Sequence, residues 1–298
     1  WNVSMEEWVI LSLLYPALYA VSNIIDKFLL EKRIKNPFSL SIIVGLVAFF
    51  IALIVLAFNP LKNLTINIIF FGLLAGISYS IGYFLYFYAT SMEEVSRVIS
   101  MIYITPIIVS LFAVIFLNEK LTLIKYFGII IIVLGAVLIG INKLSSNEFF
   151  RRGVLIASLS SIFWATTNII QKYLLNDISF WNLYSLQSFG LFIGLSTALL
   201  SKNARVNLRN TVKNIHFISL SEGFNFLAAI VALLALSKAD VSKVSAIGSL
   251  QPLYVLVYVI ILSLFIPKLL KEILNKKILI IKLVSILLIV IGAYIITR

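Results

Sequence analysis

The sequence predicts an all-α integral membrane protein in which ten transmembrane helices form two inverted five-helix repeats. Three observations lead to this fold class. Of the 298 residues, 61% are hydrophobic and 12% are charged, with a mean hydropathy of +1.09, whereas about a quarter of the residues in soluble domains are charged. Apolar runs follow one another along almost the whole chain. A polar motif also occurs twice, about half a chain apart.

Each apolar run is long enough to cross a membrane, because a hydrocarbon layer of about 30 Å needs about 20 helical residues. The connections between the runs are short and leave no room for a sizeable soluble domain. We therefore expect a multi-pass protein of the plasma membrane. The predicted spans are residues 7–29, 38–58, 66–90, 95–117, 122–142, 153–175, 179–200, 214–237, 241–266 and 277–297.

The first spans of the two halves contain the same motif. Residues 22–30 (SNIIDKFLL) and 167–175 (TNIIQKYLL) are identical at six of nine positions, and residues 91–106 match 237–252 at nearly the same offset. Agreement of Asn, Lys, Ser and Pro at one offset indicates a duplicated unit. Because each unit holds five spans, the second enters the bilayer from the opposite side, and in such inverted pairs a binding site lies where the halves meet. The predicted repeats are residues 1–145 and 146–298.

Composition argues against several other classes of protein. With no cysteine and only His216, the chain has no disulfide, thiol centre or histidine metal site. We expect no cofactor. We also expect no enzymatic activity, because the acidic residues are scattered and the sequence does not pair a nucleophile with a general base. The basic residues that give the net charge of +12 lie in loops, where they set the topology and contact lipid headgroups. The expected partners are membrane lipids and a small-molecule substrate, with no nucleic acid, and a monomer is compatible with this pattern.

Polar side chains recur at three- and four-residue steps in spans one and six, which places them on one face of each helix. Within hydrocarbon such a face must meet water or protein, so it lines either a cavity or a hydrogen-bonded contact between helices. Aromatic and small polar residues in spans three, four, eight and nine extend the pattern. The candidate substrate-binding residues are Tyr15, Tyr19, Asn23, Tyr79, Tyr83, Ser100, Tyr103, Trp164, Asn168, Asn225 and Ser249.

Glu222 is the acid that we expect farthest from a span end, roughly 13 Å deep at 1.5 Å per residue. A carboxyl group at that depth suits proton coupling or pairing with a cation, and the alternative is a protonated side chain bonded to a neighbouring helix. Asp26 and Lys27 lie near the end of span one, where the favoured interpretation is a lysine that reaches lipid headgroups. Pro106 and Pro252 occupy equivalent positions, which predicts two hinges or, alternatively, two bends that only shape packing.

One stretch of the first half carries a family pattern. Pro106 leads to Glu119 in the sequence N-E-K-L-T, and Gly128 and Gly135 follow on the next span. With ten spans in two groups of five, the chain resembles the EamA-type family of the drug/metabolite transporter superfamily over nearly its whole length. The second half departs from this pattern, because it reads FIPKLLKEILNKK where the turn is expected. Only Glu119 is therefore carried over, without a symmetric partner.

The resemblance implies export or import of small metabolites, often amino acids or related compounds, without ATP, and the sequence contains no phosphate-binding loop. We expect a secondary carrier that works by alternating access, with a proton gradient acting through Glu222. A lipid flippase and a non-transporting membrane scaffold are the alternatives. The count of basic residues, seven on the amino-terminal face and seventeen on the other, places the termini outside, whereas the resemblance implies cytoplasmic termini.

Overall fold

The computed structural model describes residues 5–62, 64–102, 104–139, 152–265 and 276–297, and every regular element within them is a helix. Asn36 and Thr65 begin two of the long helices, because their side-chain oxygens accept bonds from backbone N–H groups of the first turn. In chain order the helices are α1 (Met5–Phe28, continued by the π-helical turn Leu29–Arg33), α2 (Pro37–Phe58), α3 (Ile66–Met92), α4 (Val95–Ile102), α5 (Thr105–Leu117), α6 (Leu123–Ile139), α7 (Arg152–Leu174), α8 (Phe180–Ser196, followed by the 3₁₀ turn Thr197–Leu200), α9 (Lys202–Val212), α10 (Ile215–Lys238), α11 (Val241–Gly248), α12 (Gln251–Phe265) and α13 (Lys276–Thr297).

Seven helical segments of the described chain are long and apolar enough to cross a membrane. Shorter apolar helices, Thr105–Leu117, Leu123–Leu138 and Leu283–Ile296, lie within the predicted spans four, five and ten. The fold is thus that of a multi-pass membrane protein, and the number ten stays a prediction. The seven segments are Glu7–Arg33, Pro37–Phe58, Ile66–Met92, Arg152–Leu174, Phe180–Leu200, Ile215–Lys238 and Val241–Ser263.

The predicted spans four and nine are each divided into two helices. α4 ends at Ile102 and α5 begins at Thr105, while α11 ends at Gly248 and α12 begins at Gln251. Pro106 and Pro252 are the second residues of α5 and α12, where a proline loses no helical hydrogen bond because the first-turn N–H groups have no partner within the helix. Each proline therefore starts a new helix and does not bend a continuous one.

Helix pairing follows the sequence repeat. α1 of the first repeat packs on α10 of the second, and the equivalent helices α7 and α3 pack on each other in the same way. α5 packs on α7, and the equivalent helices α12 and α1 also pack on each other. α2 packs on α8 and α6 on α13, which are pairs of equivalent helices. This pattern is unchanged when the two halves are exchanged, as a two-repeat architecture requires.

Glycine allows a close contact between the backbones of α3 and α8. A Cβ atom added to Gly76 would lie 2.6 Å from the backbone nitrogen of Leu191, and one added to Gly190 would lie 2.9 Å from the carbonyl carbon of Leu73. Small residues let helix backbones approach in this way where packing, and not water exclusion, holds helices together.

The repeated lysines close the ends of two helices. Lys27 Nζ donates to the carbonyl oxygens of Thr90 and Glu93 at 3.0 and 2.8 Å, at the carboxyl end of α3. Lys172 Nζ makes the equivalent bonds at the end of α10, where unpaired carbonyls and the helix dipole favour a cation. The expected placement of Lys27 among lipid headgroups is wrong, because its ammonium group has these carbonyl partners inside the protein.

One connection differs from the expected loop. The stretch after the seventh span, expected as a loop, forms α9, an amphipathic helix with the buried Ala204 on one side and Arg205 exposed on the other. Residues 267–277, within the stretch where the second half departs from the family pattern, lie almost entirely outside the described residues.

Candidate functional site

A cavity of about 110 Å³ lies where the two repeats meet. The first repeat contributes side chains of α1, α3 and the start of α5, and the second contributes the equivalent α7 and α10 with α11 and the start of α12. Eight of the eleven candidate binding residues line this cavity. They are Tyr15, Tyr19, Asn23, Tyr79, Tyr83, Trp164, Asn168 and Asn225.

The remaining candidates have different positions. Ser249 is buried but does not line the cavity, and its hydroxyl donates to the carbonyl of Ala246 in the preceding turn. The side chain of Ser100 and the whole of Tyr103 lie outside the described residues. That the lining residues bind a substrate stays a prediction.

Aromatic rings form one wall of the cavity. The ring of Trp164 lies 5.9 Å from that of Tyr79, 6.1 Å from Tyr83 and 6.0 Å from Tyr86, measured between centroids. Within the described part of the chain, the Trp164 Nε1–H group is shielded from solvent and has no hydrogen-bond partner. A buried donor without a partner is uncommon in a native protein, and this one lies against Gly82 of α3. The wall therefore presents aromatic rings to the cavity.

A directed chain of hydrogen bonds crosses the cavity. The amide nitrogen of Gln251 donates to the side-chain oxygen of Asn23, and Asn23 Nδ2 donates to the hydroxyl of Tyr86 at 3.0 Å. Tyr86 in turn donates to Asp26 Oδ2 at 3.2 Å, and Ser221 donates to Asp26 Oδ1 at 2.7 Å. Every bond in this series points toward the Asp26 carboxylate.

Sequence analysis assigned Asp26 only to a span end, but the structure shows that its side chain belongs to the cavity wall. Its side chain is 2% exposed and lines the cavity. The segment that begins with α1 continues to Arg33, so Asp26 lies about two turns before the end of that segment. One signal for it was present in the sequence, because Asp26 aligns with Gln171 inside the repeated motif and Gln171 also lines the cavity.

Glu222 lies behind the cavity wall. It is 4% exposed, and its Oε1 accepts a bond of 2.8 Å from Asn225, which does line the cavity. The neighbouring Ser221 joins this position to Asp26. The titratable side chains that interact electrostatically with Glu222 from the surrounding helices are Tyr19 and Asp26 of α1, Tyr83 of α3 and Tyr184 of α8.

The opposite side of the cavity is neutral. Gln171 Nε2 donates to Gln187 Oε1 at 2.6 Å, at the position that repeats Asp26. Among the described residues that line the cavity, Asp26 is the one acid, and no lysine, arginine or histidine is present. The site thus combines aromatic faces, amide groups and one carboxylate.

Glu119 joins the two repeats away from the cavity. Its carboxylate accepts bonds from the backbone N–H of Val241 at 2.7 Å, from that of Ser242 at 3.4 Å and from the Ser242 hydroxyl at 2.6 Å. A carboxylate at a helix amino terminus pairs with unsatisfied N–H groups and with the helix dipole. The residue that the family pattern identified therefore holds the start of α11.

Comparison with known proteins gives three findings. The model of the EamA-like transporter family matches residues 7–141 and again residues 151–298. "Uncharacterized protein MJ1333.1" of Methanocaldococcus jannaschii is 31% identical over 142 residues, which is 47% of this chain and all of that protein. A solved structure described only as "Crystal structure of protein" superposes with a TM-score of 0.71 at 12% identity, covering 98% of this chain and 96% of that one. At this identity the superposition concerns the fold alone.

Proposed function

The chain belongs to the EamA-like transporter family, and on this premise we propose that it is a secondary active transporter of small polar or amphipathic metabolites, amino acids or related compounds. The observation that carries the proposal is the polar cavity at the contact of the two repeats, because a binding site in that position can be exposed to either side by movement of one half against the other. We place the protein in the plasma membrane, with a small molecule and lipids as its partners.

The divided helices support alternating access. Thr105 and Gln251 line the cavity at the starts of α5 and α12, next to Pro106 and Pro252. A change of backbone angles between α4 and α5, or between α11 and α12, would move cavity residues relative to α1 and α7. Breaks between helices commonly serve as hinges because they absorb such changes without loss of helical bonds.

Glu222 is the proposed site of proton coupling. It is buried near the cavity, and its partner Asn225 lines the cavity wall. A proton on Glu222 would change the bond to Asn225 and the charge felt by the nearby Asp26, so occupancy by a proton and by substrate would be linked.

Counterflow in proteoliposomes tests transport directly. Vesicles that contain the purified protein are loaded with a mixture of amino acids and diluted into the same labelled compounds, and we expect saturable uptake that empty vesicles do not show. Trp164→Ala should reduce this uptake at least about tenfold by removing the aromatic wall, while the matched variant Trp181→Ala, outside the cavity lining, should retain it. Equal uptake by empty and protein-containing vesicles would refute the proposal.

A pH gradient tests coupling separately. An inward proton gradient should stimulate uptake by the native protein several-fold, and Glu222→Gln should abolish the stimulation while leaving counterflow at equal pH. Glu31→Gln changes a partly exposed acid at the end of the first helix and serves as control. If Glu222→Gln responds to the gradient as the native protein does, the coupling role is wrong.

A further inference from the structure

The charge of the cavity distinguishes among small metabolites. Within the described residues, Asp26 is the single ionisable acid on the cavity wall, and no basic side chain lies there to neutralise it. The adjacent Lys27 directs its ammonium group to backbone carbonyls at the end of α3. A carboxylate in such a place is costly unless a cation joins it, because the surrounding medium is of low polarity.

The hydrogen bonds around Asp26 favour its anionic form. Both carboxylate oxygens accept bonds, from Tyr86 and from Ser221, and Asn23 and Gln251 orient Tyr86 from behind. The hydroxyl of Tyr86 already accepts a bond from Asn23, which leaves its hydrogen for Asp26, and the Ser221 hydroxyl can donate to the other oxygen. Hydrogen bonds to a charged acceptor are stronger than neutral ones, and a chain of them in one direction strengthens each member.

The aromatic wall suits the same ligand. Trp164 is surrounded by Tyr79, Tyr83 and Tyr86 within the centroid distances given above, and Tyr86 also bonds to Asp26. The face of an aromatic ring attracts a cation, most strongly where water is excluded. The aromatic rings and the carboxylate thus lie in one region of the cavity. A negatively charged ligand there would be repelled by the carboxylate, because no basic side chain among the described lining residues compensates it.

From these contacts we propose that the cavity selects small organic cations and that the Asp26 carboxylate is the counter-charge for their ammonium group. The inference rests on the proposed function and narrows its substrate class. A metabolite with an ammonium group and no carboxylate binds better than the zwitterion of the same shape. The competing interpretation is that Asp26 only ties α1 to α3 and α10, through Tyr86 and Ser221.

Matched ligands separate charge from shape. Choline and its neutral isostere 3,3-dimethylbutan-1-ol differ only in that a carbon atom replaces the charged nitrogen, and tyramine with 4-propylphenol supplies an aromatic pair of the same design. Calorimetry on the purified full chain measures their affinities for the native protein, for Asp26→Asn and for Asp177→Asn, an exposed acid that serves as control. Asparagine keeps the size of Asp26 and an acceptor oxygen, so the tie to neighbouring helices is largely retained.

In the native protein and in Asp177→Asn, the cation of at least one pair should bind at least about tenfold more tightly than its isostere. In Asp26→Asn the ratio should fall below about threefold. Equal affinities within both pairs for the native protein would overturn the inference, and so would a preference that persists in Asp26→Asn. The native comparison needs no variant, so the inference stays testable if Asp26→Asn does not fold.

Counterflow of labelled tyramine and leucine with the same preparation separates this inference from the proposed function. Exchange of leucine without any cation preference would retain transport and refute the role of Asp26. Asp26-dependent cation binding without exchange of either compound would retain the site and refute transport.

Discussion

The carboxyl-terminal parts of α1 and α7 have nearly the same sequence and do different chemistry. Asn23 and Asn168 both line the cavity, and Lys27 and Lys172 both close the end of a neighbouring helix. Between them, Asp26 of α1 is a carboxylate that accepts two hydrogen bonds, whereas the equivalent residue of α7 is the neutral amide Gln171.

The difference shows how a duplicated unit can become a selective site. The lysine bonds depend on backbone carbonyls at helix ends, which both repeats possess, so the same residue works in both. The cavity, in contrast, is shared by the two repeats, and one charge placed asymmetrically is sufficient to orient a ligand. Shared positions therefore build the scaffold, and we propose that the divergent position supplies the selectivity.

The largest expected effect comes from removing that divergence. Asp26→Gln makes α1 match α7 and leaves two neutral amides, so counterflow of an organic cation should fall by about 100-fold, as when one partner of a buried charge pair is lost. Gln171→Glu, which adds a carboxylate on the opposite side, should retain cation exchange. Uptake of labelled tyramine measures both, and native-like uptake by Asp26→Gln would show that the two segments are chemically equivalent.

The comparison extends to α3 and α10, where Gly76 aligns with Glu222. Gly76→Ala places a methyl group against the backbone of α8 and should lower the free energy of unfolding by about 2 kcal/mol, because overpacking forces the helices apart. Gly223→Ala, on α10, meets no atom within 4 Å and should have little effect. Thermal unfolding in detergent compares the two, and equal stability would mean that α3 and α8 can separate freely.

The two lysines should have equal effects because their bonds are equivalent. Lys27→Met and Lys172→Met each leave two carbonyl oxygens without a charged donor, with a loss of about 1.5 kcal/mol in stability. Lys32→Met, at a partly exposed site, should change stability by less than about 0.5 kcal/mol. If Lys27→Met lowers stability much more than Lys172→Met does, Lys27 also interacts with Asp26.

The smallest effect is expected at Glu119, which belongs to the N-E-K-L-T turn of the first half. Glu119→Gln removes the charge at the start of α11 and should weaken this contact by about 1 kcal/mol. Since the contact joins the repeats, the balance of conformations should shift about fivefold. A cysteine introduced at Ser245, in a chain without native cysteine, should report this as a change in alkylation rate, with Glu31→Gln as control.

Much of the site followed from residue types and spacing. The polar stripes of α1 and α7 predicted that Tyr19, Asn23, Trp164 and Asn168 face a common region, because polar groups in hydrocarbon must face protein or water. Asp26 was missed because its distance from a span end depends on the π-helical turn that continues α1. The sequence gives no sign of that turn.

Hydrophobicity, the repeat and the N-E-K-L-T turn were sufficient to determine a duplicated helical membrane protein of the EamA-like family, because these are properties of order along the chain. Contacts between distant segments depended on the tertiary structure. Packing of α1 against α3 and α10 brings Tyr86 and Ser221 to Asp26, 60 and 195 residues away. Helix packing fixes which side chains meet, so the Asp26 carboxyl group and its hydrogen-bond partners are brought to the cavity only after the repeats have come together.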